Sequence, residues 1–86
     1  MTIRYSRVFS IKMEKLKKRD VLIEKKINRQ LLLLASNPRH PSLRLHKISG
    51  KYEAWSIGVD MRLRILFVYR EYGILMADIG SHDEVY

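Results

Sequence analysis

Eighty-six residues make room for one domain with a single modest core, and the composition is that of an ordinary folded chain, 47% hydrophobic and 30% charged. Cysteine is absent, which excludes disulfides, a thiol nucleophile and thiolate-bound zinc and fits a reducing, cytoplasmic setting. No run of about 18 apolar residues is present to span a bilayer, and the opening Met-Thr-Ile-Arg-Tyr-Ser lacks the apolar stretch of a signal peptide.

The net charge of +8 is unevenly spread. Residues 1–47 carry thirteen Lys/Arg against three Asp/Glu, whereas residues 48–86 carry four against six. A basic half of this kind points to nucleic acid, an acidic protein partner or an anionic membrane surface. The plainer alternative is a solvated helix face that keeps the chain soluble.

In chain order, Thr2 to Tyr5 alternates weakly and reads as a short first strand. Ser6 or Ser10 then caps a helix to about Lys18, with Phe9, Met13 and Leu16 as its apolar stripe and lysines on the rest. Asp20 is expected to cap a second helix to about Ser36, in which Ile23, Ile27, Leu31 and Leu34 are in register. Lys25, Lys26 and Arg29 occupy its other side. The run Leu31-Leu32-Leu33-Leu34 is apolar all round, so one side should meet a sheet and the other the first helix.

The prolines at 38 and 41 stop this helix, and the period then changes from about four to two. Leu43 and Leu45, alternating with Arg44 and His46, read as a strand. Trp55, Ile57 and Val59 read as another, and Asp60-Met61-Arg62 as a tight connection. In the next strand Leu63, Ile65, Phe67 and Tyr69 form one face. Arg62 and Arg64, with Leu66 and Val68, form the other, which reads as a partly basic, open face. Glu71-Tyr72-Gly73 is a hairpin turn before a final strand, Ile74 to Ile79, and a polar tail containing His82. A helical hairpin followed by an antiparallel meander is an α+β domain, with the helices on one face of the sheet.

These words and their order resemble the RelE/ParE superfamily of toxins from type II toxin–antitoxin modules. The residues that carry the resemblance are Asn37-Pro38, Leu43 with His46-Lys47-Ile48-Ser49-Gly50, Ala54-Trp55-Ser56-Ile57, Arg64-Ile65-Leu66-Phe67-Val68-Tyr69, and the ending Ile79-Gly80-Ser81-His82-Asp83-Glu84-Val85-Tyr86. The resemblance implies a compact toxin neutralised by a cognate antitoxin. In RelE-like and YafQ-like members it further implies cleavage of mRNA on the ribosome without a metal or other cofactor. ParE-like members share the fold and instead inhibit DNA gyrase, which is the alternative function; a toxin reduced to antitoxin binding is another.

The implied cut is an attack by a ribose 2′-hydroxyl on the adjacent phosphate. It needs a base, positive charge on the phosphate and an acid for the leaving 5′-oxygen. By resemblance, Arg64 contacts the reacting phosphate, for which a guanidinium is suited by charge and by its paired donors. His82 is the implied acid, Tyr86 the terminal aromatic that orients the nucleotide, and His46 or Asp60 the base. Arg62, Lys47, Arg44, Lys25, Lys26 and Arg29 are candidate holders of backbone phosphates. The plain alternatives are a cross-strand pair of Arg64 with Asp60 or Asp78, a structural hydrogen bond for His46 and a surface-turn histidine at 82. The chain departs from RelE itself at Ser56 and Gly58, where lysines stand in RelE. His40, His46 and His82 show no ligand spacing, so no metal site is expected, and the basic helices lack the aromatic face of a membrane-surface helix.

Overall fold

The structure, a computed structural model, describes residues 2–48, 50 and 53–85. Strand β1 (Thr2–Tyr5) leads into helices α1 (Arg7–Arg19) and α2 (Ile23–Ser36). A short 3-10 turn (Pro41–Leu43) then precedes strands β2 (His46–Ile48), β3 (Ala54–Gly58), β4 (Leu63–Arg70) and β5 (Gly73–Ser81), and a last helical turn, α3 (His82–Val85). The five strands form one sheet in the order β1-β5-β4-β3-β2. The meander β2 to β5 is antiparallel, as its period-two patterning predicts, while β1 runs parallel to β5 at the far edge. The predicted α+β architecture is therefore the observed one, and the first strand makes the sheet mixed.

Ser6 starts α1. Its hydroxyl oxygen accepts the Phe9 N–H at 3.0 Å and donates its own proton to the Ala77 carbonyl at 2.7 Å. One side chain thus caps the helix and fastens it to β5. Lys17, Lys18 and Arg19 close α1 in its last turn, where positive charge meets the carbonyl end of the helix dipole. Asp20 does not cap α2. Its carboxylate accepts the Leu22 N–H at 2.9 Å inside the connection, and Leu22 holds the cap position with no side-chain bond. A carboxylate can bond a backbone N–H two residues on in a turn just as it can in a cap, which is why the spacing misled.

Ile23, Ile27, Leu31 and Leu34 are buried as expected and pack with Phe9, Ile57, Ile65, Phe67, Ile74, Met76 and Ile79 between helices and sheet. The four-leucine run divides differently from the prediction. Leu31 and Leu34 enter the core, Leu33 packs partly against it, and Leu32 stays 71% exposed. Another correction falls at residues 43–46. Pro41–Leu43 is a 3-10 turn, Arg44 takes a left-handed conformation (φ 47), and the strand begins only at His46. The turn drives Leu43 to complete burial, and the His40 ring nitrogen accepts the Ser42 N–H at 3.1 Å to hold it.

Tyr72 lies in the predicted β4–β5 turn. Its carbonyl accepts the Thr2 N–H at 3.0 Å, and its ring lies under the Arg4 guanidinium at 4.2 Å. Opposite the β4 step from Leu66 to Phe67, β5 carries an extra residue: Leu66 pairs with Asp78 and Phe67 with Met76, leaving Ala77 without a β4 partner. Such a bulge bends the strand.

Candidate active site

The strand pairing puts Gly58, Ser56 and His46 on the sheet face of Arg64, away from the helices. Arg62 is not among them. It precedes β4 in an exposed bend, so the two arginines do not share a strand face as their spacing predicted. Asp60 produces the bend, its Oδ1 accepting the N–H groups of both Arg62 and Leu63 at 2.8 Å.

Arg64 is 7% exposed, where an open basic face was expected. Its Nε donates to Ser56 Oγ at 2.6 Å and its Nη2 to the Arg44 carbonyl at 2.8 Å, with His46 Nδ1 at 3.2 Å. Burial of a guanidinium is tolerable because these acceptors take up its donors. Neither predicted carboxylate pairs with it. Asp60 faces Lys26 at 3.9 Å and Asp78 faces Lys12 at 2.7 Å. Nη1 of Arg64 carries no hydrogen bond among the described residues, and none of their buried side-chain nitrogens lacks a partner, so that corner of the group opens to solvent.

His46 Nδ1 lies between a donor, Arg64 Nη2, and an acceptor, the Arg44 carbonyl at 3.3 Å. With Nδ1–H donating to that carbonyl, Nε2 is left as a proton acceptor. With Nδ1 accepting from Arg64, the ring proton sits on Nε2. Arg44 itself is exposed, and its guanidinium donates to the Asp60 carbonyl across the α-carbon of Gly58. Partial burial pushes the Asp60 carboxyl up. The N–H groups of Leu63 and Arg62 and the charges of Lys26 and Arg62 outweigh that, and its pKa lies below the ordinary carboxylate value.

Gln30, which the sequence reading passed over, anchors this arrangement from below. It is buried on the apolar stripe of α2, and its side-chain amide donates to the Gly58 carbonyl at 2.8 Å and the Ser42 carbonyl at 3.1 Å. Its spacing was the available signal. An amide three residues after Ile27 and four before Leu34 must be buried, and a buried amide needs partners.

His82 opens α3, exposed, two residues beyond Gly80, the β5 partner of Arg64. Asp83 lies 3.7 Å from its ring. Beside it, the Glu84 carboxylate accepts the Ser81 N–H at 2.9 Å, which lowers its pKa. Tyr86 lies outside the described residues. Lys47 pairs with Trp55, the neighbour of Ser56, and so sits on the sheet face opposite Arg64. Lys25 is exposed in a hollow with Lys17, Val21 and Glu24, and Arg29 is exposed on α2. Among the candidates, Arg64, His46, Arg44 and Asp60, with Lys26 behind Asp60, come together; Arg62 joins them only through its backbone N–H on Asp60, and Lys47, Lys25 and Arg29 lie apart. Among the described residues no three His, Asp or Glu side chains gather as a metal site, and no helix is long and apolar enough to cross a membrane.

Helical hairpin, mixed sheet and terminal turn together make up the fold of bacterial toxins from type II toxin–antitoxin systems, of the RelE, YafQ and YoeB kind. The chain matches a copper-bound mutant toxin from Helicobacter pylori with a TM-score of 0.85 and 18% identity, over 100% of this chain and 99% of that one. It matches a chain of the E. coli DinJ–YafQ toxin–antitoxin complex with a TM-score of 0.82 and 18% identity, over 99% and 96%. YoeB from Staphylococcus aureus, solved as a dimer and also in complex with YefM, matches at 0.78 and 18% as the dimer, over 95% and 97%. No family model and no curated protein matches the sequence itself. The likeness is therefore one of fold.

Proposed function

We propose that this protein is the toxin of a toxin–antitoxin pair and that it cleaves mRNA on the ribosome. The observation that carries the reading is Arg64: a buried guanidinium with one corner open, beside an imidazole, on the sheet face away from the helices. A permanent charge held by fixed acceptors in a partly desolvated site is suited to a phosphate that gains charge in the transition state. His46, donating Nδ1–H to the Arg44 carbonyl, takes the 2′-hydroxyl proton at Nε2. The 2′-oxygen forms a bond to phosphorus, the bond to the 5′-oxygen breaks, and His82 supplies the proton to that leaving oxygen. The products are a 2′,3′-cyclic phosphate and a 5′-hydroxyl. Asp60 is the weaker candidate base, since its depressed pKa and two backbone hydrogen bonds make it a poor proton acceptor. Tyr86 is assigned to orienting the nucleotide.

The solved complexes of the similar toxins with DinJ and YefM support a cognate antitoxin as the partner here. The test is induction in cells lacking that antitoxin, with 5′ ends of mRNA mapped with and without translation. Translation-dependent cuts at codon positions are expected. Growth arrest with intact messages and broken DNA would replace this reading with gyrase inhibition.

A further inference from the structure

Arg44 stands in a place that no neighbouring strand residue fills. In the strand pairing Gly58 lies directly opposite Arg64, so a side chain at position 58 would project beside the Arg64 guanidinium. Glycine leaves that space open, and the Arg44 guanidinium lies in it: a Cβ built on Gly58 would fall 2.7 Å from Cζ and 2.8 Å from Nε of Arg44. The left-handed backbone at Arg44 belongs to the same arrangement, since it lets the residue send its carbonyl to Arg64 Nη2 and its side chain to the Asp60 carbonyl. Gln30 ties the two supports together, bonding the Ser42 carbonyl just before Arg44 and the Gly58 carbonyl beneath it.

We propose that Arg44, seated on Gly58, is the second phosphate-binding cation of the catalytic site, contacting the non-bridging oxygens of the reacting phosphodiester together with Nη1 of Arg64. The inference rests on the reading of Arg64 as the phosphate ligand and goes beyond it. Arg64 is 7% exposed and commits Nε and Nη2 to protein acceptors, so alone it offers one corner. Arg44 is exposed and adds a second guanidinium over Gly58, the strand partner of Arg64. Two charges on one phosphate answer the extra negative charge that develops as the 2′-oxygen adds. Gly58 and Gln30 are positioning residues for Arg44.

The structure supplies a test that leaves Arg44 in place. Gly58→Ala fits the strand backbone, and the atoms it would meet belong to the movable end of the Arg44 side chain, so the fold survives while the guanidinium loses its seat. Purified full-length variants are assayed for cleavage of ribosome-bound mRNA, with kcat and KM separated and thermal unfolding measured alongside. Arg44→Ala and Gly58→Ala should each lower kcat by about 10²–10³-fold with little change in melting temperature, as loss of one transition-state donor does. The double variant should be no worse than either single one, because both remove the same contact. Arg44→Lys should recover part of the rate, since an ammonium keeps the charge without the paired donors. If Gly58→Ala cleaves like the wild type, or the two losses multiply, the seat is not what places Arg44 and the proposal falls. If the wild type itself leaves ribosome-bound mRNA intact, the reading of Arg64 falls first and this inference with it. A wild type that cuts beside an Arg44→Ala variant that cuts equally well overturns only the role of Arg44.

Discussion

At the scale of single residues, the site depends on side chains whose value lies in what they hold still. Arg64→Ala and His82→Ala should each abolish growth arrest while antitoxin binding survives, measured by co-purification with the antitoxin; full toxicity in both would remove the assigned chemistry. Asp60 gives a prediction with a sign. Its folded pKa lies below the unfolded value of 3.8, so its contribution to stability is complete above the unfolded value and is lost as pH falls through the folded one. Asp60→Asn keeps an acceptor for the Arg62 and Leu63 N–H groups and cannot ionise. The variant should melt lower than wild type near neutrality and converge with it as the pH falls through the folded pKa of Asp60. Parallel melting curves across that range would mean that the carboxylate charge contributes nothing. Arg64 and His46 were legible in the sequence by type, but not by partner. Hydrogen bonds from Arg64 to Ser56 and to the carbonyl of a left-handed Arg44 link residues 8 and 20 positions apart, and no local pattern encodes such distances.

Among the elements, α1, α2 and the meander followed from periodicity, because each buries one apolar face and the spacing records it. The 3-10 turn did not. Leu43 and Leu45 alternate as a strand would, and burial of Leu43 is met as well by a turn. Arg62 was misplaced for a related reason: a spacing of two places residues on one face only if both belong to the strand, and Asp60 ends the bend after Arg62. Ser6 offers a test of how elements are joined. Ser6→Ala removes both the α1 cap and the bond to the Ala77 carbonyl, and should cost about 1–2 kcal/mol in denaturant unfolding. A loss below a few tenths would show that water replaces both contacts. Gln30→Leu, close in size, leaves the Ser42 and Gly58 carbonyls without a donor and should cost about 1–3 kcal/mol.

For the whole molecule, the charge asymmetry now has a geometry. The basic first half supplies the helices and the turn beside the sheet, and the second half supplies the strands with Arg64. If ribosomal RNA is the surface these helices meet, association should weaken steeply as salt rises, because each phosphate contact releases a counterion. Sedimentation with ribosomes across a salt series reads this directly, and a flat response would point to a protein target. Fold class was legible because both the apolar periods and the order of motifs run through the whole chain.

The pairing of β1 with β5 also sets an order of events in synthesis. The first strand has its only described neighbour in the last one, and the Ser6 hydroxyl finds its acceptor 71 positions later. Until β5 has been translated and released from the exit tunnel, neither β1 nor the Ser6 hydroxyl has its partner. Until then the first strand lacks its sheet partner, and a chain with such a long-range contact unmade is open to proteases. Closure of the fold waits on the strand that pairs with its first one.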